Sequence, residues 1–344
     1  MTERRARPLR LNENAVTRRD VAAAAGVSET IVSYVINNTR YVAPEKRKRV
    51  QEAIERLHYR PNTIARALKG KGSSHILFIV GNVSNEYYGS LMQEIDSVAY
   101  DAGFLVSLMG FRNTPDFISR ILTRQVDAVV ISSSAMREES IQKLADTGLA
   151  VVVLMTRDYP DLSGNVSRIY TGIESGIMRA VRLLYDKGRR NLVHVDRVSL
   201  NGHFSNRQDL RYRGFCNQME ACGLPLHASS FITGCAHYDE LYDAVCARVR
   251  SGAPVDGFVC RNDPLACTVL SAIRACGLDV PGDISVTGFD DSRMSRVIQP
   301  RLTTLAHNQP GMAAAILETI KHMLAGGPPE DRYFQTTLIE REST

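Results

Sequence analysis

Between residues 17 and 37 the sequence reads TRRDVAAAAGVSETIVSYVIN, and its apolar positions recur at helical spacing. Thr17 followed by Asp20 is a capping-box pattern, and Ala22 to Ala25 are small helix formers. Gly26 relaxes the backbone at a corner. Ser28 then caps a second helix over residues 29–36, in which Ile31, Val32 and Val35 form an apolar stripe. Glu29, Thr30, Ser33, Tyr34 and Asn37 are left pointing outward. Two short helices around a tight turn, the second with a polar face, have the shape that enters a DNA major groove.

Pro44 starts a third helix, with Val50, Ile54 and Leu57 placed to pack on the first two and Lys46-Arg47-Lys48-Arg49 in its first half. Pro61 then blocks extension and Asn62 can cap two helical turns over residues 63–69, ahead of the flexible joint Gly70-Lys71-Gly72. So short a helix needs a partner surface, either DNA or a second copy of itself.

From His75 the pattern changes. Ile76-Leu77-Phe78-Ile79-Val80 is a continuous apolar run typical of a buried parallel strand. Helix (88–102), strand (104–109), helix (117–122), strand (128–132), helix (141–146) and strand (151–155) follow. The alternation restarts with a helix at 176–186, a strand at 191–195 and helices at 211–222 and 241–250. A strand at 257–260, a helix at 264–276, a strand at 284–288, a helix at 310–324 and a last strand at 334–340 complete it. The fold class is α/β: doubly wound parallel sheets in two lobes, with ligands expected at the carboxyl ends of the strands.

Charge sharpens this division. Residues 1–72 of the 344 carry 16 Lys and Arg against 7 Asp and Glu, whereas the remainder carries 26 against 30. A basic head on a mildly acidic body fits a phosphate-binding module attached to a separate globular part. The first 14 residues lack the apolar core of a signal peptide, and no run approaches the length of a membrane span. The seven cysteines fall between Cys216 and Cys276 without a C-x-x-C pair, so reduced thiols in a cytoplasmic protein are expected, with no metal and no cofactor.

In order and spacing, several segments resemble the lac repressor/gal repressor family of bacterial transcription regulators. They are VTRRDVAAAAGVS from Val16, VSYVIN from Val32, YRPNTIARALKG from Tyr59, and SNEYY from Ser84. Arg261-Asn262-Asp263, VPGDISVTGFDD from Val280 and PRLTTL from Pro300 complete the set. The resemblance implies a helix-turn-helix head (15–60) after a disordered tail (1–14), a hinge helix and linker (61–72) and a periplasmic-binding-protein-like body (73–344). It puts the first lobe at about 74–171 plus 304–334 and the second at about 172–303 plus 335–344. It further implies a homodimer that reads a pseudo-palindromic operator and responds to a small molecule between the lobes.

Carried over residue by residue, Glu29, Thr30 and Tyr34 take the positions that reach base edges, with Tyr34 where an arginine is common. Thr17, Ser28, Ser33, Asn37 and Tyr41 are placed for phosphates. Leu68 matches the residue that wedges into the operator's central minor groove, surrounded by Asn62, Ala65, Arg66 and Lys69. The effector pocket falls on Tyr87, Tyr88, Arg211, Asn262, Asp290 and His307. Asp290 can accept from hydroxyls, Arg211 can grip vicinal oxygens, and the tyrosines offer faces to a ring, which favours a sugar, a sugar derivative or a nucleoside. Arg157 and Arg207 add charge nearby, leaving an acidic or phosphorylated ligand open, and Met155 stands where many sugar-binding relatives have an aspartate. A periplasmic-type binding protein would need a signal peptide and no helix-turn-helix. An enzyme is disfavoured because G-x-S-x-G, H-E-x-x-H and Walker-type loops are missing.

Overall fold

A computed structural model describes residues 16–59 and 72–344, and the chain divides into two compact units, 1–71 and 72–344. The expected tail and the hinge residues Asn62, Ala65, Arg66, Leu68 and Lys69 lie outside the described residues.

In the first unit α1 (Arg18–Ala25), α2 (Glu29–Asn37) and α3 (Pro44–Arg56) pack around Val21, Val32 and Val50, each fully buried. The Asp20 amide donates to the Thr17 hydroxyl (3.3 Å) and the Thr17 amide to the Asp20 carboxylate (2.8 Å), the reciprocal pair that satisfies two orphan donors. Gly26 ends α1 at φ +63°, a left-handed conformation that a side chain disfavours. The Ile31 amide donates to the Ser28 hydroxyl at 3.4 Å, starting α2 one turn later.

The second unit contains a larger lobe around a six-stranded sheet in the order β11-β5-β4-β3-β1-β2. Its members are β1 (His75–Val80), β2 (Leu105–Gly110), β3 (Ala128–Ser132), β4 (Ala150–Met155), β5 (Val166–Tyr170) and β11 (Arg332–Tyr333), all parallel. A smaller lobe holds a four-stranded parallel sheet, β7-β6-β8-β9, from β6 (Leu192–Val195), β7 (Phe231–Ile232), β8 (Gly257–Cys260) and β9 (Ser285–Thr287). An antiparallel ribbon of β10 (Thr304–Ala306) and β12 (Thr337–Ile339) belongs to neither sheet.

Period-two alternation assigns each strand residue to a face. Ile76, Phe78 and Val80 of β1 join Leu91 and Ile95 of α4 (Glu86–Asp101) and Ile316 and Ile320 of α12 (Gln309–Leu324). Leu77 and Ile79 turn the other way, towards α5 (Phe117–Leu122) and α6 (Glu138–Ala145). That second core continues into the smaller lobe through α7 (Ile173–Asp186) and α8 (Leu210–Ala221). A Cβ on Gly214 of α8 would lie 2.6 Å from the Glu174 carbonyl of α7, so these two helices meet at backbone distance. The far face of the smaller sheet is covered by α9 (Tyr238–Arg250) and α10 (Asp263–Ala275), with α11 (Arg293–Val297) beyond them.

The strand pattern departs from expectation at the C-terminal end and at several short strands. The strand expected at 334–340 is only Thr337–Ile339, while Arg332–Tyr333 adds instead to the edge of the larger sheet beside β5. Strands β5, β7 and β10 were not expected at all. They are two to five residues long, and each is placed by pairing with a strand distant in sequence: β5 with β4 and β11, β7 with β6, and β10 with β12.

Candidate functional site

The carboxyl ends of the parallel strands of both lobes open onto a cleft of about 710 Å³. Its lining follows from the strand ends, where the backbone leaves the sheet and side chains become free to face a ligand. Asn82 stands two residues beyond β1, Ser132 to Ser134 close β3, Thr156 follows β4 and Thr171 follows β5. From the smaller sheet come Arg197 beyond β6, Arg261 and Asn262 beyond β8, and Asp290 beyond β9. Tyr87, Tyr88, Arg211 and His307 complete the wall, so the structure brings all six residues expected for an effector into one cavity.

Each of the six is held in a specific state. Asp290 sits at φ +98°, and its Oδ1 is 3.7 Å from His307 Nε2 and 3.8 Å from an Arg211 Nη atom, beyond hydrogen-bond range for both. The Arg211 Nε donates to the Arg261 carbonyl (3.0 Å) and its guanidinium lies over Phe289 at 4.8 Å, which aims the rest of the fork. Asn262 spends its carbonyl oxygen capping α10 (Leu265 amide, 3.2 Å), which leaves its NH₂ for a ligand. The Tyr88 hydroxyl donates to the Ser132 carbonyl (3.0 Å), so Tyr88 offers its ring rather than its oxygen. Tyr87 packs on His307 with centroids 4.8 Å apart, and burial, followed by the charge of Asp290, pushes its phenol well above the usual range.

Seven of the fourteen buried side-chain polar atoms that have no hydrogen-bond partner among the described residues line this one cleft. They are Ser133 Oγ, Thr156 Oγ1, Thr171 Oγ1, Arg197 Nε, Asp290 Oδ1 and both nitrogens of His307. Unpaired polar atoms cost about 1–3 kcal/mol each when buried, so their concentration here marks a surface completed by another molecule or by water.

Beneath this surface lies a network the sequence did not reveal. Arg261 reaches Asp209 (2.9 and 3.1 Å) and Ser205 (3.0 Å), while Arg197 reaches Asp209 (2.5 Å) and, across the cleft, the Ser134 hydroxyl of the larger lobe. The Ser205 amide and hydroxyl both donate to Asp196 (2.8 and 2.5 Å). Burial raises the Asp209 and Asp196 carboxyls, but the adjacent guanidinium groups outweigh it and hold both below the usual range. The available signal was position: Arg197 and Arg261 fall within two residues of a strand's carboxyl end. By contrast, Arg157 lies over Tyr159 and reaches the Ser134 carbonyl (3.3 Å), and Arg207 is exposed; neither lines the cleft. Met155 is core.

The lobes are tied directly. Leu210 N donates to Thr156 O (3.2 Å), Asp158 N to Gln208 O (2.9 Å), and Arg293 N to the Glu86 carboxylate (3.1 Å). A ligand that changes lobe angle therefore has to trade against specific bonds.

On the head, Glu29 and Thr30 are exposed on the first turn of α2, Ser33 is half-buried, and Tyr41 is 86% exposed. Ser28 accepts from an amide through Oγ and keeps its own proton to donate, whereas the Thr17 hydroxyl donates to Asp20 (2.7 Å). Tyr34 is half-buried against the helix core with the Arg40 guanidinium 5.4 Å from its ring centre. The Asn37 side chain lies outside the described residues. Among the described residues no group of acids, histidines and cysteines could hold a metal, and no helix is long and apolar enough to cross a membrane.

Residues 17–62 match the family model "bacterial regulatory proteins, lacI family", and residues 181–344 match a periplasmic binding protein-like domain. The HTH-type transcriptional repressor PurR of Histophilus somni (strain 129Pt) is 32% identical over 295 residues, 84% of this chain and 86% of that protein. Catabolite control protein A of Priestia megaterium is 29% identical over 294 residues, covering 84% and 87%. The lac repressor dimer bound to operator and the anti-inducer ONPF shares the fold, with a TM-score of 0.80 at 22% identity over 96% of this chain and 99% of that one. A capped helix-turn-helix joined to a two-lobed body with a polar cleft, together with this similarity, settles the assignment: the chain belongs to the lacI family of bacterial regulatory proteins and is a DNA-binding transcriptional regulator.

Proposed function

We propose that the protein is a cytoplasmic, homodimeric repressor, not an enzyme, whose operator affinity is set by a small polar ligand in the interlobe cleft. The observation that carries the effector half is the clustering of unpartnered buried polar atoms in that cleft, at the strand ends of both lobes. A hydroxylated ligand supplies the missing partners: hydroxyl donors for Asp290 and His307, and acceptors for Arg211, Asn262 and the hydroxyls of Ser133, Thr156 and Thr171. Because both lobes contribute, occupancy changes the balance of the interlobe bonds and with it the spacing of two heads in a dimer.

On the head, the exposed first turn of α2 supports base reading by Glu29 and Thr30, with Ser28, Ser33 and Tyr41 on phosphates. Tyr34 reads through whatever part of its ring Arg40 leaves open, and Thr17 acts chiefly as the cap. Leu68, with Asn62, Ala65, Arg66 and Lys69, is proposed as the minor-groove wedge. Selection of binding sites from random DNA by the full-length protein, repeated with a panel of sugars and nucleosides, tests this reading. Recovery of an inverted repeat, lost or strengthened with one compound, is expected. Equal recovery of all sequences would refute it. Glu29→Gln should relax the preference at one base pair of each half-site, at a cost of about 1–3 kcal/mol.

A further inference from the structure

Arg197, Arg211 and Arg261 all line the cleft, with side chains only 17%, 10% and 10% exposed. The carboxylates that hold two of them, Asp196 and Asp209, do not line it; they lie behind. Arg197 and Arg261 therefore face the cavity with their counter-charges buried on the far side, while Arg211 has Asp290 3.8 Å away in the lining itself, so an anion beside Arg197 and Arg261 approaches the positive face first. Neither Nη group of Arg211 makes a hydrogen bond among the described residues, and Arg197 Nε is buried without a hydrogen-bond partner, 3.7 Å from the Asp196 carboxylate. Arg112 lines the opening, exposed, with no ion pair among the described residues. One carboxylate, Asp290, belongs to the lining, on the side shared with His307 and Tyr87.

We infer, on the reading that the cleft holds the effector, that this effector is an acid: a small hydroxylated molecule carrying one carboxylate or phosphate. Its anionic group sits among Arg197, Arg211 and Arg261, and its hydroxyls reach Asp290 and His307. A neutral sugar would accept ordinary hydrogen bonds from the arginines, whereas an anion accepts charge-assisted ones, which are shorter and stronger. A ligand anionic throughout is disfavoured by Asp290, which calls for donors at its end. The same positive field is felt by His203 at the cleft wall, which burial and the charges of Arg197, Arg157 and Arg261 hold below the usual imidazole range. Arg197 itself is lowered to about 10 by burial and by Arg261.

Titration calorimetry of the full-length protein with matched pairs tests this: glucuronate and glucose 6-phosphate each against glucose, and adenosine monophosphate against adenosine. At least one acid is expected to bind about tenfold or more tightly than its neutral parent, and the carboxylate and phosphate arms show which anion is read. That advantage should fall to about threefold or less in Arg197→Gln. It should also shrink in Arg112→Gln, which removes an exposed charge and leaves the buried network intact should the first variant fold poorly. Neutral parents binding as tightly as their acids in every pair, or an advantage unchanged in both variants, overturns the inference while leaving the effector site standing. Failure of every compound, acidic and neutral, to bind removes the cleft reading itself and this inference with it.

Discussion

The two walls of the cleft solve the same problem with different chemistry. The larger lobe contributes neutral groups: the Ser132–Ser134 row, Thr156, Thr171, asparagine amides and the Tyr88 ring, with the exposed Arg112 as its charge. The smaller lobe contributes nearly all of the buried charge, in Arg197, Arg211, Arg261 and Asp290, backed by Asp196 and Asp209. The contrast reflects cost. A hydroxyl left unpaired under the surface is tolerable, so the neutral wall stands with three orphan oxygens. A buried charge without a partner is not, so Arg197 and Arg261 are prepaired with Asp209 and Asp196 before any ligand arrives, while Arg211 and Asp290 stand 3.8 Å apart. The smaller lobe should therefore set both specificity and acid sensitivity, and the larger one should tolerate change.

Four experiments sharpen or break that comparison. Replacing Arg261 with Met should cost about 3–5 kcal/mol in urea unfolding, because Asp209 and Asp196 then share Arg197 alone; a loss below about 1 kcal/mol would mean the network is not structural. Asp290→Asn keeps a residue tolerant of positive φ but removes the charged acceptor, so effector affinity should fall about 10- to 100-fold while the melting temperature holds or rises.

The third concerns pH. His194, fully buried between Phe215 and Phe231 with its Nδ1 on the Val259 carbonyl, is lowered to about 4 by burial. Unfolding lets it take up a proton below its free value near 6.5, so native stability is retained above that value and lost as pH falls towards 4. The loss between pH 7 and pH 5 should be on the order of 2 kcal/mol and should vanish in His194→Phe. Asp263 works oppositely: burial raises it to about 7, so its contribution is complete near pH 4 and is lost as pH rises through 7. Asp263→Asn should then make the acid loss steeper. The smallest effect belongs to the neutral wall: Thr171→Val should lower effector affinity about threefold to tenfold and leave unfolding within about 1 kcal/mol of the parent. A large loss of stability there would erase the distinction between the walls.

Legibility in the sequence followed locality. The caps at Thr17, Asp20 and Ser28, the turn at Gly26 and the runs that became β1, β3, β4 and α12 each depend on residues within a few positions of one another, and they stand in the structure as expected. Helix α4 begins at Glu86, two residues before the expected start, because Asn85 accepts from the Tyr87 amide (3.0 Å). That Tyr87, Tyr88, Arg211, Asn262, Asp290 and His307 would meet in one cavity was legible through motifs whose spacing survives in one chain. Arg197 and Arg261 were not, since a strand-end arginine reads as a solvated charge until its partners appear; Asp209 is 52 residues from Arg261 in sequence.

By itself the sequence determined the lineage, the helix-turn-helix and the alternation that makes parallel sheets, because capping, periodicity and motif order are written in neighbouring residues. The tertiary structure alone decided that Arg197 and Arg261 join Arg211 and Asp290 in one cavity, that Asp196 and Asp209 stand behind it, and that Tyr88 spends its hydroxyl on Ser132. Those relations join strand ends far apart along the chain, and charge and desolvation act through distance in space, which no local pattern encodes.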